Sequence, residues 1–323
     1  MLGCGPVRIP LSFSATGARP FDIVGFGENS VDLVAVVAEY PTSNTKQRLQ
    51  RFARLTGGCI ATAMVACARL GLRARYVGSF GSDDLGTTSR EALAREGVDV
   101  SASRTVAGAP NRFAVILVDA RSGERTVLWD RDPALETELQ TMSAAAIASG
   151  RFLLVDCQET AASTRAARFA REAGVPTLID VEKVRPGIGD LLQNIDVIIA
   201  SESFPEELTG HDGLGRALQA IGREFGAAIV CVTLGEAGSL AWCAGREIRT
   251  PGFSIDCVDS TGAGDAFRAA FAAACLTHPD GDVEDVLRYA NAAASLNCRA
   301  LGAQGGLPFP AEVERVLTMR PKK

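Results

Sequence analysis

Short apolar runs alternate with helix-like segments through the second half of the chain, and few folds accommodate that rhythm. Residues 152–155 precede a helical stretch near 163–173, 177–179 one near 188–192, 197–200 one at 205–208, and 229–233 follow as a further apolar run. Such short runs, apolar throughout, fit strands covered by helices on both faces, so the pattern predicts an α/β fold with a doubly wound, mostly parallel sheet. In the first half, residues 21–27 read as a buried first strand ending in glycines, followed by a loop that carries Glu28, Asn29 and Asp32. Residues 58–70 are small and apolar and predict a close-packed helix stopping at Gly71; residues 74–77 predict another strand, broken by Gly78 and Gly81.

Two stretches depart from the rhythm. Residues 33–50 and 111–130 mix β-branched, aromatic and polar residues, with a Ser122-Gly123 turn in the second, and predict a small separate β lid. The expected organisation is therefore a flexible leader over 1–20, a core made of 21–32, 51–110 and 131–323, and a lid made of 33–50 and 111–130. No internal repeat and no low-complexity tract interrupts it.

With 323 residues, 47% hydrophobic and 22% charged, disorder and collagen-like architecture are excluded. A formal charge of -5 without a dense Lys/Arg run argues against nucleic acid or an anionic membrane as partner and toward a small molecule. Even the apolar stretch 266–276 is interrupted by Arg268, so no membrane span is expected. The first twenty residues lack the continuous apolar core of a secretory signal. Nine cysteines are scattered without a C-x-x-C pair, and Cys67, Cys231 and Cys275 lie among apolar neighbours. That usage points to buried thiols in a reducing, cytoplasmic setting. His211 and His278 sit in turn-like contexts, which argues against histidine-based zinc sites and Ser-His-Asp triads.

The stretch Asp259-Ser260-Thr261-Gly262-Ala263-Gly264-Asp265 carries the most chemistry, because a helix-like run follows it directly. Glycines let the backbone bend tightly, and the helix that follows offers free N–H groups at the positive end of its dipole. Asp265 falls in the first turn, beside any anion held there. Phosphoryl transfer needs those two parts: N–H groups for the equatorial oxygens of the moving phosphate, and a base for the nucleophile. The competing reading is a plain glycine-rich turn with Asp265 stabilising the helix start.

Together with the stretches 56–71 and 76–86, this string resembles the ribokinase (phosphofructokinase-B) family of carbohydrate kinases, and the resemblance runs from about residue 22 to 308. It implies an α/β core with a β lid, a sugar under the lid, and ATP with Mg²⁺ at the carboxyl ends of the strands. By position, Asp265 matches the catalytic base, and Gly262, Ala263 and Gly264 match the anion hole. Asp32 matches the sugar-binding aspartate and Gly57-Gly58 the glycines that admit sugar hydroxyls, with Thr62 where relatives often have Asn. Thr233, Gly235 and Gly238 resemble the nucleotide loop, with Ser201 nearby; Asn291 falls where relatives line the adenine pocket, although a solvent-facing Asn on that helix reads equally well. Asp259, Thr261, Gly302 and Gly306 fall where many relatives hold a monovalent cation, K⁺. The chain departs from the family at Ser201-Glu202-Ser203-Phe204, where an Asn-x-x-Glu element is usual, so Glu202 or Asp180 would have to serve Mg²⁺. These departures resemble the branch of sulfofructose kinase and ketohexokinase and lean the substrate toward a ketose.

Lys46, Asn111 and Arg112 lie in or near the lid, where they fit either an acidic substrate or a solvated face. The lid's edges and apolar faces predict a homodimer. A catalytically silent sugar or nucleotide binder of the same fold, and a nucleoside kinase, stand as alternatives. A dinucleotide loop at residues 25–30 lacks its third glycine.

Overall fold

The computed structural model describes residues 5–122 and 125–318. In chain order its strands are β1 (Phe21–Phe26), β2 (Ser30–Val37), β3 (Arg51–Gly57), β4 (Ala74–Val77), β5 (Ser79–Gly81), β6 (Arg104–Val106), β7 (Phe113–Asp119), β8 (Arg125–Asp130), β9 (Gly150–Asp156), β10 (Thr177–Val181), β11 (Val197–Ala200), β12 (Ile229–Thr233), β13 (Ser239–Cys243) and β14 (Arg246–Thr250). Eight of them form the main sheet in the order β14-β13-β12-β11-β10-β9-β1-β4. It is parallel from β12 to β4 and antiparallel at the β12-β13-β14 edge.

Both faces of the sheet are covered, as unbroken apolar strands require. Along β9, Phe152 and Leu154 join one core while Leu153 and Val155 join the other, the two-residue alternation of a strand. The helices Cys59–Arg69, Ala263–Thr277 and Val283–Asn297 pack on the first side, and Thr160–Glu172 and Leu214–Phe225 on the second. The Ala263–Thr277 helix is buried continuously from Ala266 to Leu276. Its many alanines allow close approach to the sheet and to the two flanking helices, and a helix enclosed on all sides is apolar all round. Arg268 is the exception and its side chain is only 4% exposed.

The segment 5–20, expected to be a flexible leader, is packed where it is described. Val7 and Ile9 are buried; the Val7 carbonyl accepts from Val283 N–H (2.9 Å), and Ile9 N–H donates to the Gly281 carbonyl (3.1 Å). Phe13 meets Phe152 edge-on at 5.3 Å, and Arg151 Nε donates to the Ser14 carbonyl (2.7 Å). Alternating Val7 and Ile9 carry the apolar anchors; the Gly, Pro and Ser around them masked that signal in the sequence.

A second, four-stranded sheet runs β3-β2-β7-β8 and forms the lid. Its strands start and stop differently from the expected 33–50 and 111–130. β2 begins at Ser30, so Asp32 stands on a lid strand rather than in a loop; residues 38–50, Lys46 included, carry no strand, and β3 belongs to the lid rather than to the core. β3 reads Arg-Phe-Ala-Arg-Leu-Thr-Gly and buries only Gly57 fully, so it lacks the apolar run of a core strand; its place is fixed by pairing with β2, Asp32 opposite Leu55. β7 and β8 pair antiparallel, and Gly123 of the expected turn lies outside the described residues. Val34, Ala114 and Ile116 form a small core under the lid with Leu55, Val118 and Leu301. β5 and β6 add a two-stranded parallel sheet that the sequence pattern does not announce.

Candidate active site

After β1 the chain crosses to β4 on one side, while β9 lies on the other, so the carboxyl ends of β1 and β9 flank a crevice where the strand order reverses. Open α/β sheets bind ligands at such points. Asp156 ends β9 and reaches across this crevice: its Oδ2 accepts from Glu28 N–H (2.7 Å) and the Cys59 thiol (3.3 Å), and its Oδ1 from Gln158 N–H (3.0 Å). Gly27 has φ of 153°, and a Cβ there would stand 2.2 Å from Asp156 Oδ2, so a side chain at this position would displace the carboxylate.

A cavity of about 330 Å³ lies between this edge and the lid. Its floor is the N-terminal end of the Ala263–Thr277 helix, with Gly262, Gly264, Asp265 and Arg268; its wall is Asp156, Asp180 and Glu182; its roof includes Asp32, Arg112 and Arg125. Gly262 caps the helix in the left-handed region (φ 77°), where an L side chain is strained and a Cβ would meet the Ala303 carbonyl at 2.3 Å. Ala263 N–H turns back to the Ser260 carbonyl (3.3 Å), and Ala266 N–H, bonded to Gly262 (2.9 Å), follows it, so the N–H groups of Gly264 and Asp265 stand between them at the helix mouth. The Asp265 side chain does not cap the helix. Its carboxyl lines the cavity, and burial, reinforced by the neighbouring Asp180 charge and opposed by Arg268, pushes its pKa well above the usual carboxylate range.

Arg268 lies one turn further along the helix and pairs with Asp180 at 2.6 Å, each side chain 4% exposed. Its Nη2 also donates to the Ile199 carbonyl (3.3 Å). Burial raises the Asp180 pKa against the pull of that guanidinium. Asp32 accepts from Ser30 Oγ (2.8 Å), and Gly57 leaves room for it, since a Cβ would lie 2.3 Å from Oδ2. Gly58, in the left-handed region with φ of 88°, passes so close to Asn29 that a Cβ would stand 2.5 Å from its Cα. Arg112 Nε meets Glu28 at 2.5 Å and stacks 5.5 Å from the Trp129 ring; burial raises the Glu28 pKa to about 7 although Arg112 opposes it.

Several expected residues lie elsewhere. Thr62 is sealed in its helix, its hydroxyl accepting from Gln304 (3.4 Å). Asn111 is spent on the framework: Oδ1 accepts from Gly81 N–H (3.0 Å) and Nδ2 donates to Asn29 (3.1 Å) and to the Arg112 carbonyl (2.9 Å). Glu202 is exposed and does not line the cavity, whereas Glu182, at the end of β10, does. Ser201 Oγ donates to the Glu182 carbonyl (2.9 Å). Phe204 is fully buried. Thr233, Gly235 and Gly238 follow β12, further along the same carboxyl edge. Gly235 is open to solvent, while Gly238 packs under Thr250, whose carbonyl a Cβ would meet at 2.1 Å. Asn291 faces inward rather than toward solvent and ties down this edge, donating to Thr250 Oγ1 (2.9 Å) and Ser239 Oγ (3.1 Å).

Glu28, Asp156, Glu182, Arg125 and Arg268 were not singled out as site residues from sequence. Asp156 and Glu182 each sit at the carboxyl end of an apolar run, and Arg268 is a lone charge in an apolar helix; those were the available signals. Among the described residues no helix is long and apolar enough to cross a membrane, and no disulfide forms.

The pfkB family carbohydrate kinase model matches residues 21–310. The chain is similar to "Ribokinase" of Haemophilus influenzae, 30% identical over 79% of this chain and 85% of that protein. It is also similar to "Fructokinase-1" of Oryza sativa, 28% identical over 91% and 97% respectively. The structure of Arabidopsis thaliana ribokinase complexed with ribose and ATP superposes with a TM-score of 0.82 at 27% identity, covering 93% of this chain and 99% of that one. A match over nearly the whole sheet, with the Gly262 helix mouth and Asp265 facing one cavity, places this chain in the pfkB family of carbohydrate kinases.

Proposed function

We propose that the chain phosphorylates a primary hydroxyl of a ketose or related sugar, with Asp265 as base and the Gly262 to Gly264 backbone as anion hole. The observation that carries this reading is the shared cavity: Asp265 and Asp32 line it from opposite sides, one from the helix mouth and one from the lid. A sugar held by Asp32 and by the backbone at Gly57 and Gly58 presents its hydroxyl to Asp265. The carboxylate takes that hydroxyl's proton as the oxygen attacks, while the N–H groups of Gly262 and Gly264, with that of Asp265 beside them, receive charge developing on the phosphoryl oxygens. A raised pKa makes Asp265 the stronger base once it is ionised. The lid keeps water from competing as acceptor.

ATP fits the carboxyl edge from Gly262 toward Thr233, Gly235 and Gly238, with Asn291 fixing the strands behind. Magnesium keeps several waters and asks for few protein carboxylates; Glu182, a hard oxygen donor at this edge, suits it better than Glu202 or the Arg268-paired Asp180. The metal supplies neutralising charge to the nucleotide phosphates.

A coupled ADP-release assay over ketoses, aldoses, sugar phosphates and nucleosides tests the reading. Turnover is expected to be highest with a ketose. Preferential turnover of an aldose or a nucleoside overturns the ketose assignment, and silence across the panel overturns the whole proposal.

The same reading gives the lid a partner in a second copy of the chain. All of β8 is exposed, Leu128 at 57% and Trp129 at 61%, with Phe52 on β3 at 60%. Apolar strand edges left open in this way pair readily. Sedimentation at micromolar concentration is expected to give twice 33.8 kDa, and a 33.8 kDa particle rejects the dimer.

A further inference from the structure

The family resemblance implies a monovalent cation held by Asp259, Thr261, Gly302 and Gly306, and the residues there do not fit one. Such a cation needs carbonyl and carboxylate oxygens as ligands, and here donors from the chain itself are already on the Asp259 carboxylate, the Thr261 carbonyl and the Gly302 carbonyl, the last accepting from Gly305 N–H (3.4 Å). Asp259 Oδ1 accepts from Thr261 N–H (2.9 Å) and Thr261 Oγ1 (2.7 Å), and Oδ2 accepts from Gly302 N–H (2.8 Å). The Thr261 and Ala303 carbonyls both accept from Asn297 Nδ2, at 3.1 and 3.0 Å. Gly306 lies against the end of the same helix, where a Cβ would stand 2.3 Å from the Asn297 carbonyl.

Asn297 is fully buried. Both of its Nδ2 partners are carbonyl oxygens, which fixes the amide with its NH₂ group toward them. Its Oδ1 is left without a hydrogen-bond partner. Leaving a buried acceptor unsatisfied costs stability, so the orientation is held by what the NH₂ group does. The Thr261 carbonyl and the Gly262 N–H belong to one planar trans peptide and point in opposite directions. Holding that carbonyl toward Asn297 aims the Gly262 N–H the other way, on a residue that lines the cavity. The Ala303 carbonyl is the group that a Cβ on Gly262 would strike first, so the second bond holds a segment packed directly against the same turn.

We propose that the Asn297 side-chain amide takes the place of the monovalent cation: it clamps the Thr261 and Ala303 carbonyls, positions the anion hole, and makes the enzyme independent of K⁺. Asn297 is a positioning residue, and its catalytic consequence rests on the kinase reading above. Two measurements separate the proposals. The first is thermal melting of the full chain without substrate, in KCl and in choline chloride at equal ionic strength. The wild type is expected to melt at one temperature in both salts, while Asn297→Ala, with its two carbonyls freed, is expected to be stabilised by KCl alone. The second is the rate of ADP formation in the same salts. The wild type is expected to be equally fast in both; Asn297→Ala is expected to lose about 10²-fold in kcat in choline, the order of loss when reacting groups are misplaced, with the sugar KM little changed and partial recovery in KCl. Asn297→Leu, which fills the space without donating, is expected to lose activity in both salts. Wild-type melting or turnover that rises with KCl over choline overturns the proposal, as does an Asn297→Ala variant of unchanged kcat in choline. Absence of any turnover overturns the kinase reading instead, and the wild-type melting comparison then decides the cation question by itself.

Discussion

Replacing Asp265 with Asn is expected to lower kcat by about 10²–10⁴-fold, the range that a positioned general base contributes. The amide keeps the shape of the carboxyl but accepts no proton from the attacking hydroxyl, so the loss falls in the transition state and the sugar KM changes little. The pH profile sharpens the test. Burial and the Asp180 charge raise the Asp265 pKa, so the free enzyme still holds the proton at a pH where an ordinary carboxylate has lost it. kcat/KM is therefore expected to rise with pH through a limb displaced above the usual carboxylate range, and the residual activity of Asp265→Asn is expected to lack that limb. An Asn variant as active as the parent, or a wild-type limb at ordinary carboxylate pH, contradicts the assignment.

The second large effect concerns stability. Removing one partner of a buried ion pair leaves the other charged and unpaired, at a cost of about 3–5 kcal/mol. Arg268→Ala does this to Asp180 and also takes the nearest cation from Asp265. Denaturant unfolding is expected to show that loss at pH 8 and a smaller one at pH 5. The sign follows from proton linkage. A carboxyl with a raised folded pKa holds its proton in the native state where the unfolded chain has released it, so native stability falls as pH rises through the raised value. Loss of the guanidinium moves Asp180 further in that direction. At pH 5 the orphaned carboxyl is neutral and the cost is smaller; a destabilisation independent of pH argues that Arg268 matters only for packing. The double variant Arg268→Met with Asp180→Leu is expected to recover much of the loss, as apolar replacements of buried pairs commonly do.

What could be read ahead of the structure follows from where the information sits. β9, β10, β11 and β12 are buried along nearly their whole length, so their apolar runs stand out in the sequence itself. The helix mouth at Gly262 is also a local device, made by neighbouring residues. β3 is different: its sequence, with two arginines in seven residues and three residues exposed, becomes a strand only by pairing with β2. The partners of polar residues are likewise set by tertiary contacts. Asn111 braces the backbone beside the lid, Asn291 braces the edge at β13 and β14, and Asn297, not singled out from sequence, holds the helix mouth itself. Glu182, just after β10, reaches the cavity wall, whereas Glu202, after the neighbouring β11, stays in solvent.

The lid is tied unevenly. On the β3 side, Arg54 pairs with Asp84 at 2.7 Å and Thr56 donates to Gln304 at 2.8 Å, while β8 reaches the opposite rim through Arg125 Nη1 and Ser260 Oγ at 3.0 Å. A hydrogen bond of this kind is worth about 1 kcal/mol, which corresponds to roughly a fivefold bias in population. Fewer ties hold the β8 rim than the β3 side, so the lid is expected to part from the core first where Arg125 meets Ser260.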